Sequence, residues 1–176
     1  KWVKGVRSMA GEWGGGLGTV VSGGWENRIS GKIKDPKEWG RFDGTVLAGK
    51  NDTRLAVINI YAPTENGTLF TRQKGADLKT GTSGAAGDSI WDDLDAAMEG
   101  WMVKGTRFIL LGDFNALWHL STGRASGNYD AFDERRHHRI HRLATKYKLV
   151  NFYERMHQQR CPHTWSRGGG SDHAST

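Results

Sequence analysis

A chain of 176 residues can build one domain with a sizeable core and is too short for two comfortable ones. Hydrophobic residues are 36% of the chain and glycines number 25, which predicts a loop-rich fold, while eight tryptophans argue against disorder. A net charge of +6 favours an anionic partner such as nucleic acid or a phosphate ester; the lone Cys161 excludes an internal disulfide; and no stretch approaches the ~18 apolar residues of a membrane helix.

Gly14 to Gly24 sets a short β-branched run between glycine clusters, and a strand is expected across Leu17 to Ser22. No Lys-Ser/Thr and no helical pattern follow, so a phosphate-cradling loop is not expected there. Ile29 to Ile33 and Gly44 to Ala48 are short candidate strands. Arg54 to Ala62 is the longest β-type run and is ended by Pro63, which cannot donate to a ladder. Residues 64–88 are polar, rich in Gly, Thr and Ser and without apolar period; they read as a long exposed loop.

Ser89 followed by Asp92 matches a capping pattern, and Ile90, Leu94, Ala97, Met98 and Trp101 repeat at helical spacing, predicting an amphipathic helix over about 89–103. The run Phe108-Ile-Leu-Leu then suits a strand buried on both faces. It ends in Gly112, Asp113, Phe114 and Asn115, a polar cluster at a strand's carboxyl end, where α/β proteins place their chemistry. A strand followed by an ordinary turn would carry the same four residues. A second helix fits Ala131 to Tyr147, with Asp130, Asp133 and Glu134 near its start and Lys146 and Lys148 near its end. Leu149 to Tyr153 leads into a strand or turn, His163 to Trp165 starts a short strand, and Ser166 to Thr176 reads as a turn.

His137 and His141 share a helical face with His138 nearby, but no third ligand is spaced for zinc, so a solvated basic face is expected. Arg135, Arg136, Arg139 and Arg142 on the same helix are candidates for contact with a phosphate backbone.

Three segments in order, Asn59-Ile-Tyr-Ala-Pro-Thr64, Gly112-Asp-Phe-Asn115 and His163-Thr-Trp165, resemble the endonuclease/exonuclease/phosphatase superfamily. Within it the wording is most similar to the endonuclease domains of non-LTR retrotransposon polyproteins. The resemblance implies an α/β fold of two β-sheets packed face to face with helices outside, a four-layer sandwich. It also implies phosphodiester hydrolysis with magnesium or manganese, DNA as substrate, and a parent polyprotein carrying reverse transcriptase. Carried over residue by residue, it gives Asp113 the attacking water and a share of the metal. It has Asn115 bind a phosphate oxygen and Tyr61 offer its phenol to the same phosphate; Arg135, Arg139 and Trp165 are further candidates for nucleic-acid contact. Phosphoinositide, sphingomyelin or nucleotide phosphoesterases of the superfamily are the nearest alternative. A catalytically dead nucleic-acid-binding or scaffold module is an alternative of another class.

The superfamily's early metal-binding Glu has no counterpart among residues 1–13, where the single acid, Glu12, ends no apolar run. Ser171-Asp172-His173 spells the superfamily's terminal catalytic triplet but begins only six positions after Trp165, where the pattern has a glycine-rich turn. It is expected to be a chance match, with His173 far from Asp113. Asn151 stands where the pattern commonly has Asp. The chain opens on Lys1 and stops after glycines, so 1–176 is expected to be a single partial domain lacking the first and last strands and inactive as such. With no apolar leader visible, an intracellular location, cytoplasmic or nuclear, is expected.

Overall fold

The computed structural model of the chain describes residues 17–64, 68–79, 88–120 and 131–158. Glu12, Cys161, His163 to Trp165 and Ser171 to His173 lie outside them, as does the expectation that His173 is remote from Asp113. The elements are a 3-10 helix Gly23–Arg28, β1 (Ile29–Lys34), β2 (Phe42–Ala48), β3 (Arg54–Tyr61), α1 (Thr68–Lys79), α2 (Ser89–Met102), β4 (Thr106–Asp113), α3 (Ala131–Tyr147) and α4 (Phe152–His157). The protein is thus mixed α/β. No described helix is long and apolar enough to cross a membrane.

The described strands form a four-stranded sheet in the order β1-β2-β3-β4, antiparallel except for the parallel pair β3 and β4. A parallel pair needs a long crossover, which α1 and α2 supply. Alternation along the strands sends Ile33, Phe42, Val46, Ala56, Ile58 and Ile60 to one face, where they bury against Ile90, Trp91, Leu94 and Met98 of α2 and Leu143 of α3. Ile90, Leu94 and Met98 repeat every four residues, so one stripe of α2 meets this face.

Several expectations are corrected here. Leu17 to Ser22 is not a strand: it joins no ladder and is tied to β2 and β3 by the Thr19 hydroxyl donating to Asp43 (3.2 Å) and the Asn59 amide donating to the Gly18 carbonyl (3.4 Å). Residues 64–88 are not simply loop, because α1 lies within them and buries Phe70, Gln73 and Asp77. Two of those three inward positions are polar, which removed the apolar period that marks a helix. β4 is not buried on both faces. Among the described residues it is an edge strand of the sheet, and Ile109 and Leu111, on the face away from α2, are 44% and 40% exposed.

Residues 152–157 form a short helix rather than a strand, because the Asn151 side chain caps it by accepting from the Glu154 amide (3.3 Å). Asp in that position would cap equally well. Ser89 does not cap α2 either; Asp88 occupies that position, while the Ser89 hydroxyl accepts from Lys37 (2.8 Å) and Arg41 (3.3 Å).

Candidate active site

The parallel register pairs Tyr61 with Asp113, so the two residues end adjacent strands side by side at the carboxyl edge. Backbone bonds hold that edge closed on both sides of Tyr61. The Tyr61 amide donates to the Arg41 carbonyl (2.7 Å) and the Ala62 amide to the Asp113 carbonyl (2.8 Å). Tyr61 is 37% exposed and Asp113 is exposed, so both can meet a solute.

Asn115 completes the turn with a φ of 43°, the left-handed region that Asn tolerates better than most side chains. Its amide N–H donates to Asp113 Oδ1 (3.1 Å), which fixes one carboxylate oxygen and leaves Oδ2 as the other acceptor. Its side-chain Nδ2 donates to the Ala62 carbonyl (2.7 Å), which orients Oδ1 of the amide on the same edge. Tyr61, Asp113 and Asn115 therefore lie at one strand edge.

A second tier lies behind this turn. Arg136 is fully buried, donating from Nε to Asp88 Oδ1 (3.1 Å) and from Nη1 to the Asn115 carbonyl (3.2 Å). The sequence grouped Arg136 with surface arginines. Its spacing from Phe132, Ile140 and Leu143, all inward-facing, was the signal that it is not one.

No family model, curated protein or solved structure matches this chain.

The other predicted basic residues face α2. Arg135 pairs with Asp88 (3.4 Å), Arg139 and Arg142 with Asp92, and Lys146 with Asp95 (2.7 Å). Burial works against the Asp95 carboxylate, yet hydrogen bonds from Lys146 and Tyr147 hold its pKa below the ordinary value. The expected solvated histidine face is also corrected. His137 Nδ1 lies 3.0 Å from the Leu117 carbonyl and His141 Nε2 lies 2.7 Å from the Trp118 carbonyl, so both rings are half-buried against the segment that follows Asn115. A carbonyl accepts only, so each of those nitrogens carries the proton. Trp118 and His119 both reach Glu154, at 3.1 Å and 2.5 Å, and tie the same segment to α4. Among the described residues no three His, Cys, Asp or Glu side chains are grouped to hold a metal ion.

Proposed function

We propose that this chain carries the Tyr61, Asp113 and Asn115 part of a magnesium- or manganese-dependent phosphodiester-cleaving site, acting on DNA as a nicking endonuclease. The observation that carries this reading is the register of Tyr61 beside Asp113, with Asn115 tied across the same edge to Ala62. The arrangement suits phosphoryl transfer, which asks a protein mainly for an oriented nucleophile and for donors aimed at phosphate oxygens. Asp113 Oδ2 orients water and accepts its proton as the water oxygen bonds to phosphorus. The second N–H of Asn115 Nδ2 and the Tyr61 phenol donate to the phosphate oxygens while the bond to the leaving oxygen breaks and that oxygen takes up a proton.

Asp113 and the Asn115 side chain offer hard oxygen donors of the kind magnesium prefers, and magnesium is commonly held by one or two carboxylates completed by water and substrate phosphate. When bound, the ion supplies positive charge against the developing phosphate charge. Ile109 and Leu111, on the sheet face away from α2, are exposed among the described residues, which favours the two-sheet sandwich implied by the resemblance. The net charge of +6 favours nucleic acid over a small phosphoester.

The test is nicking of supercoiled plasmid with magnesium, by the chain alone and by the chain within its natural reading frame, against Asp113→Ala. The variant is expected to lose about 100-fold or more of the activity. Equal nicking by both proteins would sink the role of Asp113, and plasmid retention without nicking by either would favour the binding-module reading.

A further inference from the structure

We infer that Arg136 is a positioning residue, which holds the Asp113 carboxylate in its working orientation through the carbonyl of Asn115. The inference rests on the reading of Asp113 and Asn115 as a phosphodiester site, and its geometry stands apart from that reading. A charged guanidinium inside a helix's apolar stripe is costly to bury and needs specific partners. Arg136 has Asp88, itself buried, on Nε at 3.1 Å; the Phe132 ring lies beneath its guanidinium at 4.1 Å from the centroid; and Nη1 reaches the Asn115 carbonyl at 3.2 Å. A planar fork can serve two acceptors in fixed directions, which a lysine ammonium on a flexible stem cannot.

The Asn115 carbonyl matters because this residue is held at three atoms. Its N–H grips Asp113 Oδ1, its Nδ2 grips the Ala62 carbonyl and its carbonyl is gripped by Arg136. With φ at 43° the backbone sits in a sparsely populated region that persists only when its surroundings hold it. The carbonyl lies in the 115–116 peptide and the N–H in the 114–115 peptide, joined by φ and ψ of Asn115. Releasing the carbonyl unpins those two dihedrals, so the residue can leave its sparsely populated conformation and shift the N–H that orients Asp113. Arg136 therefore links α3 and Asp88 at the start of α2 to the Asp113 carboxylate at the strand end, without touching substrate.

A role confined to bridging α2 and α3 would need only the Asp88 pair. Arg136→Lys separates the two roles, since it keeps a positive charge for Asp88 and gives up the fork to Asn115. Phe132→Leu is a milder second variant that removes the ring beneath the guanidinium and keeps both charged groups. Two readouts are taken on protein shown to unfold cooperatively: the NMR signals of the Asn115 backbone and side-chain amides and of the Ala62 amide, and the kcat and KM of plasmid nicking in the natural reading frame. For Arg136→Lys the amide signals should shift and kcat should fall about 10-fold or more with KM within about twofold, as expected when a reacting group is misplaced by a fraction of an ångström. Phe132→Leu should move both readouts the same way by less. Unchanged amide signals in the variants that fold would overturn the inference, as would a fall in kcat that only tracks the unfolded fraction. If Arg136→Lys does not fold, Phe132→Leu decides alone. If the wild-type protein cleaves nothing, the nuclease reading fails and the amide signals alone decide the positioning role.

Discussion

Gly112 shows how one residue sets the candidate site. Its φ is +122°, and a Cβ built there would lie 2.1 Å from the Ile60 carbonyl oxygen, deep inside any tolerable contact. The parallel strands approach so closely at their carboxyl ends that only glycine fits between Ile60 and the Asp113 that follows. Gly112→Ala is therefore expected to cost about 2 kcal/mol or more, from a forbidden backbone region plus a clash with main chain that cannot move aside. Gly105 supplies the control: its φ of +69° is also positive, but open space surrounds the added Cβ, so Gly105→Ala should cost only about 1 kcal/mol. Urea denaturation of both variants measures the difference, and equal losses would mean that the close approach to Ile60 contributes nothing. The motif alone showed a glycine before Asp113; that Ile60 demands it became visible only with the pairing of β3 and β4.

At the scale of elements, what the sequence revealed followed its apolar period. The strands from Ile29, Gly44 and Arg54 and the helices over 89–103 and 131–147 were legible because most of their inward residues are apolar at spacings of two or of three to four. α1 was hidden because two of its three described buried positions are polar, with Gln73 and Asp77 committed to side chains that a sequence cannot place beside them. Gln73 accepts from Arg41 (3.2 Å) and Asp77 from Lys37 (3.1 Å). Arg41 is fully buried and also pairs with Asp35 (2.5 Å) and Asp93 (2.6 Å), so the β1–β2 connection, α1 and α2 are joined by one charged network. Burial pushes the Asp35 carboxyl up, but hydrogen bonds and charge from Arg41 outweigh it and hold the pKa below the ordinary carboxylate range. A lowered folded pKa means the unfolded chain binds more protons. The contribution of Asp35 is then fully present above about pH 4, the unfolded value, and is lost as pH falls through the folded value. Asp35→Asn should cost about 3 kcal/mol at pH 7 by leaving buried Arg41 short of a counter-charge. Its unfolding free energy should also decline less steeply than that of the wild type below pH 4. Parallel declines in a pH series of denaturation curves would remove Asp35 from the acid sensitivity.

Over the whole molecule, the sequence conveyed the sign of the charge and not its distribution. The net charge is +6, yet the basic residues of α3 that looked available are matched along α2: Arg135 and Arg136 by Asp88, Arg139 and Arg142 by Asp92, and Lys146 by Asp95 and Glu99. The alternation that makes this ladder is spread over two segments some fifty residues apart, so neither segment reveals it alone. A cation already neutralised by a neighbouring carboxylate releases few counterions from DNA, because it would have to give up one partner to gain the other. On the proposed DNA-cleaving reading, Arg139→Gln should therefore leave the slope of log DNA affinity against log salt close to the wild-type value. Fluorescence anisotropy with a duplex probe between about 50 and 200 mM NaCl spans the range in which phosphate contacts show themselves. A slope smaller by about 1 in Arg139→Gln is the signature of a lost phosphate contact. That outcome would put α3 on the DNA backbone and require the Asp92 pairing to open on binding.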